Sequence, residues 1–504
     1  ARTLGLGLST DHNIVHDEVY ATMIQHMPRT YVQDALRRWI NPQNVILVAL
    51  LPESSPLGAE DFRGAYQEAI QLEPTNINLR KKAPQTKAKE DPTIEAFALK
   101  PGVELVYRHN TEGELFALTI ATEGGLRAEE RGTEYGAFNA LSSLLGLGSH
   151  KCPYEKFMAK VEGMGASIDG FSGKDSLGLQ VQCLPDQAKT ILGMAAEALL
   201  QPAFPERQWQ SYQQEILQTL VMQEDSPAAV GFKLLQRKLY GEHPYGHSVV
   251  GDKESVSGFT ASGLRQKFLD FRDQGPWVMA AAGPQTSEEV KQLLTEVFAD
   301  FQPPSLRRKF QPAQDLNTTY SYEHRHMDRE QQHIFCGFNG LCWNDGDRPA
   351  LDVLINILGG HGGRMFVNLR DKESLAYTVS PVVGYGCERG VVGAYIACAP
   401  DKSDRALARL VEEMLSMGAE TPTAGELNRS RNYIIGNHEI GLQKSDAQTM
   451  TMALMELYGF GFDDFLSYPK KIETIEAADI KRVANRLLTR EAMTVVTVGP
   501  RDLG

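Results

Sequence analysis

The chain has 504 residues, with 51 Lys and Arg against 64 Asp and Glu, a formal net charge of −13. That acidic balance argues against a general nucleic-acid binder, which needs clustered Lys and Arg against phosphate. A hydrophobic fraction of 42% excludes a disordered chain, and at about 150 residues per domain the length leaves room for about three domains.

The sequence opens on Ala1, with no Met and no secretory signal pattern, so a processed product or a fragment of something longer is expected. No apolar run approaches the ~20 residues that span a bilayer; Val45 to Leu51 has the length of a buried strand. The six cysteines form no C-x-x-C pair, which argues against a disulfide scaffold and a cysteine-rich zinc site.

An internal repeat organises the chain. Val32 to Pro52, Leu264 to Pro284 and Ile480 to Pro500 each read as an amphipathic helix, a polar break and an apolar strand closed by proline. The spacing between copies is far too long for a solenoid unit and fits repeated whole domains. The openings match as well. Segments starting at Glu114 and at Gln332 each run from a β-rich stretch through a Gly-containing polar loop into an apolar helix. Residues 1–54 then hold the closing part of one domain. Residues 55–96, rich in Lys, Pro and Thr, read as a linker. Full domains are expected at 97–310 and 311–504. Helical spacing from Gln187 and Asp404, with strand alternation from Ser176 and Gly390, gives an α+β class. Each domain is expected to be a sandwich of a sheet with helices on one face.

Three runs carry a resemblance: "LLQPAFPERQWQSYQQEILQTLVMQEDSP" from Leu199, "LYGEHPYGHSVVGDKESV" from Leu239 and "GGRMFVNLRDKESLAYTVSP" from Gly362. They resemble the pitrilysin/insulysin zinc peptidases, including mitochondrial processing peptidase. The resemblance implies paired homologous domains, two halves closing around a peptide chamber, and hydrolysis at an inverted H-x-x-E-H zinc site. No H-x-x-E-H or H-E-x-x-H occurs in this chain. Aligning "EYGAFNALSSLL" on the motif helix puts Phe138 and Ser142 at the histidine positions and Leu141 at the base. The downstream Glu falls on Thr219 or Gln218. None of these makes a zinc site; Phe138, Leu141 and Leu145 read as a buried helix face.

The resemblance further implies that this is the C-terminal, non-zinc half. Zinc is expected in a catalytic N-terminal half, on the same parent chain or a partner subunit, and the substrate would be a peptide or an unfolded segment. Arg370 and Tyr377 match a pair that such halves contribute. A guanidinium and a phenol can hydrogen-bond to a carbonyl oxygen that gains charge. The bland alternatives are an Arg370 ion pair with Asp371 or Glu373 and half-buried packing of Tyr377. Gly362 and Gly363 in "GGHGGR" are expected beside bound substrate; the run lacks the G-K-[ST] of a phosphate loop. A scaffold or peptide-binding subunit is the competing reading. Strand addition to a sheet edge, a property of the family, would serve peptide binding. His324, His326 and His333, with Asp328, form the nearest approach to another metal group. His243 and His247 stand at i, i+4, but Pro244 and Gly246 break the helix that would align them. The bacterial character of the resemblance points to the periplasm over the cytoplasm.

Overall fold

The computed structural model describes residues 27–28, 30–32, 34, 94–111, 113–129, 134–310 and 319–504. The chain divides into two compact units, Ala1–Lys87 and Ala88–Gly504. Of the first, only residues 27–28 and a helical turn at 30–32 and 34 are described, so the expected repeat copy in 1–54 lies almost wholly outside the described residues. The expected linker 55–96 does too, apart from its last three residues.

Within the second unit two mixed sheets form. Sheet I contains β1 (Ile94–Lys100), β2 (Val103–His109), β3 (Phe116–Glu123), β4 (Ser167–Ser172), β5 (Ser176–Cys183) and β6 (Trp277–Gly283), in the order β1-β2-β6-β3-β5-β4. Sheet II contains β7 (Ser321–His326), β8 (Gln332–Gly340), β9 (Ala376–Gly384), β10 (Gly390–Cys398) and β11 (Thr494–Gly499), in the order β7-β11-β8-β10-β9. Each has one parallel pair, β2–β6 and β7–β11, and is otherwise antiparallel. β2, β6, β3, β5 and β4 thus correspond in order to β7, β11, β8, β10 and β9. The two repeat segments within the described residues occupy equivalent places: each closing strand slots into the middle of its sheet.

The helices are α1 (Ala137–Leu144), α2 (Tyr154–Gly163), α3 (Ala188–Leu200), α4 (Glu206–Asp225), α5 (Pro227–Tyr240), α6 (Lys253–Gly258), α7 (Ala261–Arg272) and α8 (Ser287–Val297), then α9 (Arg348–Leu358), α10 (Ser403–Ala419), α11 (Ala424–Gly441), α12 (Ser445–Leu457), α13 (Asp464–Glu473) and α14 (Ala477–Leu487). Each sheet packs one face on helices of its own half. Leu118, Ile120 and Met279 meet Leu141, Leu192 and Phe268 under sheet I; Ile334, Val392 and Val495 meet Leu354, Leu410 and Val483 under sheet II.

The opposite faces are covered by exchange. Met452, Ala453 and Leu457 of α12 pack on Val106, Ala121 and Ala280 of sheet I. Leu235 and Leu239 of α5 pack on Phe335, Val496 and Val498 of sheet II. This explains why β6 ("WVMAAAG") and β11 ("TVVTVG") are buried along their whole lengths. A strand covered on both faces needs an unbroken apolar run rather than alternation. Glycine permits the close approach: a Cβ on Gly231 would sit 2.0 Å from the Phe335 ring. The Thr119 and Thr449 hydroxyls hydrogen-bond across the junction at 2.9 Å, fully buried.

A polar knot joins the halves at the β9–β10 turn. Buried Asp175 accepts from the Tyr245 hydroxyl and, at 3.2 Å, from the Cys387 amide. Arg127 lies 3.7 Å from Asp175 and 3.6 Å from Glu388. His243 meets Glu388 at 2.9 Å and accepts from the Tyr245 amide through Nδ1, which makes it a turn anchor.

Candidate functional site

The helix that should carry a zinc motif is α1. A buried carboxylate starts it: Glu129 accepts from the Gly136 amide at 2.9 Å and the Phe138 amide at 3.0 Å. Burial pushes this carboxyl up to about 8 against the pull of those two amides. Phe138 is 1% exposed and Leu141 0%, so both point into the core, where Phe138 meets Phe271 edge-on. With Leu145 at 1%, this is the buried helix face expected from the i, i+3, i+7 spacing. One position along, Asn139, Ser142 and Ser143 carry the same i, i+3, i+4 spacing; Asn139 and Ser143 are partly exposed and Ser142 is buried. Both serine hydroxyls donate back to the Asn139 carbonyl. Gln218 and Thr219 are exposed on α4. In neither register is there an imidazole or carboxylate, so these residues do not fit a zinc ion. No group of three or more potential ligands converges among the described residues. His324 instead bonds Thr497 and His333 bonds Tyr395, each at 2.9 Å, with β11 lying between the strands that carry the two histidines.

Arg370 and Tyr377 do come together. The segment Phe366–Lys372 winds as a π-helix, and Ser374 beyond it takes φ +49°, a left-handed conformation unusual for a residue with a side chain. Strand β9 follows at once. Its register against β10 runs Thr378↔Ala397 and then Ala376↔Cys398, which leaves Tyr377 unpaired as a β-bulge. The bulge turns the tyrosine outward: it is 77% exposed. The Arg370 guanidinium sits between two rings, 4.4 Å from the centroid of Tyr377 and 4.3 Å from that of Phe366.

Both bland alternatives fail on these facts. Tyr377 is not half-buried. Arg370 has no ion pair among the described residues, because Glu373 is held by Arg405 at 2.8 Å and Arg409 at 2.7 Å. Those guanidiniums keep the Glu373 carboxyl below its usual range. The π-helix is anchored from behind, where Asn368 donates to buried Glu413 at 3.1 Å and Arg409 reaches the same oxygen at 3.0 Å. Lys402 donates to the Ser374 carbonyl at 2.8 Å. Arg370, Tyr377, Ser374 and Gln331 line a cavity of about 320 Å³. β9 pairs only with β10, so its other edge is open among the described residues. A guanidinium, a phenol and an open strand edge together can hold a peptide backbone and donate to one of its carbonyl oxygens.

The two glycines divide. Gly362 is exposed, with open space where a side chain would lie apart from Arg429 at 3.8 Å. Gly363 is buried, and a Cβ there would come within 2.0 Å of the Gly359 carbonyl oxygen, so it serves the turn. The adjoining Arg364 forms a two-pronged bond to Glu426 at 2.7 and 3.1 Å. Arg364 holds the Glu426 carboxyl down at about 2. Sequence reasoning missed the bulge, the Ser374 backbone and this clamp; the R-D-K-E-S-L run gives no signal for the first two.

Comparison with known proteins agrees with this architecture. A family model described as "Insulinase (Peptidase family M16)" matches residues 105–253, and one described as "Peptidase M16 inactive domain" matches residues 277–434. An uncharacterized zinc protease of Rickettsia bellii is 24% identical over 417 residues, covering 80% of this chain and 97% of that protein. Another, of Bacillus subtilis, is 21% identical over 402 residues, covering 79% and 96%. Among solved structures, a peptidase M16 inactive domain from Pseudomonas fluorescens superposes with a TM-score of 0.73 at 20% identity, over 81% of this chain and 98% of that one. A protease from Helicobacter pylori gives 0.71 at 18% identity, over 81% and 100%. On the two matching models and the doubled sheet topology together, the chain belongs to the M16 peptidase family, the pitrilysin/insulysin zinc proteases.

Proposed function

We propose that this chain is the non-zinc half of an M16 peptidase and lends substrate-binding groups to a zinc-bearing half. The observation that carries the reading is the exposed, bulged Tyr377 stacked on an Arg370 that no carboxylate among the described residues neutralises. Packing gives no reason to hold a cation between two rings at the mouth of a cavity. In this reading a peptide or unfolded segment lies along the free edge of β9. Its backbone pairs with the strand, and Arg370 and Tyr377 donate to a carbonyl oxygen as it gains charge. Gly362 keeps that edge accessible. Zinc belongs to the other half, whether that half is part of the same parent chain or a partner subunit.

The test uses the chain assembled with its zinc-bearing half. The chain alone should hold no stoichiometric zinc after dialysis and cleave no peptide. In the assembly, Arg370→Ala and Tyr377→Phe should each lower kcat by about 10²-fold, with zinc content unchanged. Unchanged turnover in both variants would favour a scaffold role. Loss of zinc from the assembly would mean the pair supports structure rather than substrate.

A further inference from the structure

The Arg370–Tyr377 site occupies one end of β9, and a separate cavity lies at the other. At about 3.3 Å per strand residue, Tyr385, just past the end of β9, stands roughly 25 Å from Tyr377. Here a cavity of about 410 Å³ opens between α9, α11, α12 and α13. Trp343, Tyr385, Phe465 and Tyr468 give it aromatic walls, and Arg348 and Asp352, one turn apart on α9, supply its charge.

The two charged groups are not equally satisfied. Asp352 accepts the Tyr385 hydroxyl at 2.6 Å on one oxygen and the Tyr468 hydroxyl at 2.7 Å on the other. Arg348 is only 8% exposed, yet its guanidinium makes no hydrogen bond or ion pair among the described residues. It faces ring systems instead: Trp343 at 5.4 Å, Tyr468 at 5.6 Å and Phe460 at 5.8 Å. A guanidinium carries five N–H donors in a planar fork. Its nitrogens are not among the sealed side-chain atoms, so the fork opens to the solvent of the cavity, and a carboxylate is the group whose geometry it matches. The other acid at the cavity, Asp464, is engaged by Lys471.

We infer that this cavity binds a carboxylate carried on an aromatic or branched apolar group. Arg348 pairs with the carboxylate, and Trp343, Tyr385 and Tyr468 enclose the apolar part. The volume suits a ligand of that size, since small-molecule sites run from roughly 300 to 1,000 Å³. A phosphate fits less well: Arg348 already shares its charge with the neighbouring Asp352 carboxyl, which favours a single negative charge over two. The same chemistry exists in a free acid and at the C-terminal residue of a peptide.

Calorimetry on the full chain tests this with N-acetyl-L-phenylalanine and its amide. The acid should bind saturably, one per chain, and the amide at least tenfold more weakly. Arg348→Met should remove the acid's advantage, and Arg348→Lys should keep part of it, with circular dichroism melts confirming the fold of each. Leu442→Trp, which fills the cavity without touching Arg348, should abolish binding and covers the case in which Arg348→Met does not fold. A phenylalanine-ended pentapeptide with a free or amidated C-terminus then separates the sources. Binding of the free-ended peptide assigns the site to chain ends; its failure, with the small acid still bound, assigns it to a free acid. Equal affinity for acid and amide, no saturable heat with either, or an acid preference surviving Arg348→Met would overturn the inference.

Discussion

Edge strands β4 and β9 occupy the same place in the two sheets, and each follows a helix and a tight turn. In the first half α2 ends at Gly163, the turn passes through Gly165, whose φ of +63° costs a glycine little, and β4 pairs with β5 without a break in register. The motif helix closes down on that strand: a Cβ on Gly170 would come within 2.1 Å of the Ser142 carbonyl oxygen. In the second half the turn passes through a π-helix and a left-handed Ser374, and β9 bulges at Tyr377. One copy of the scaffold has relaxed into regular packing. The other keeps backbone irregularities that stability alone would remove, and such irregularities gather at functional sites.

The largest expected effect attacks the relaxed copy. Leu141→Glu should cost about 4 kcal/mol or more, because it buries a carboxylate with no partner. Asn139→His with Ser143→His, on the side of α1 away from the core, should cost no more than about 1 kcal/mol. Urea denaturation midpoints measure both. If Leu141→Glu were tolerated, α1 would be open to a metal site and the contrast between the two copies would fail.

A middle effect concerns the clamp behind the glycine-rich turn. The folded pKa of Glu426, about 2, lies below its ordinary value, so its stabilisation is present above about pH 4.5 and is lost as pH falls through 2. Glu426→Gln should therefore cost about 1–2 kcal/mol at pH 7, allowing for partial exposure of the pair. Melts of variant and parent should converge near pH 2. A constant gap across that range would assign the loss to the helix cap that Glu426 also makes with Thr423.

The smallest effect sharpens the comparison most. Ser374→Gly relieves a strained backbone while loosening the chain, so stability should change by less than about 1 kcal/mol. In the proposed assembly with a zinc-bearing half, turnover should nevertheless fall, because the turn no longer holds Arg370 against Tyr377. Unchanged turnover would mean the backbone at Ser374 is incidental to the pair.

The closing helix and strand of each half were legible in the sequence, because an apolar run ending in proline survives without knowledge of its neighbours. The α+β class was legible for the same reason. The helix exchange was written only indirectly, in the unbroken apolar runs of β6 and β11, and the expectation of helices on one face did not use that clue. The buried face of α1, Phe138, Leu141 and Leu145, was legible in its helical spacing, since apolar periodicity needs no knowledge of the packing partners. The bulge at Tyr377 depends on how β9 meets β10, a pairing between strands that no local pattern encodes.

The exchanged helices also set a timetable for synthesis. Sheet I is complete once Gly283 has emerged, but its second face stays bare until Ser445–Leu457 is made. At about 5–20 residues per second, the ribosome leaves that apolar surface uncovered for on the order of ten seconds or more. A chain built this way gains from a chaperone during translation, and a stop codon between the halves would release a protein with an open greasy face rather than a working smaller one.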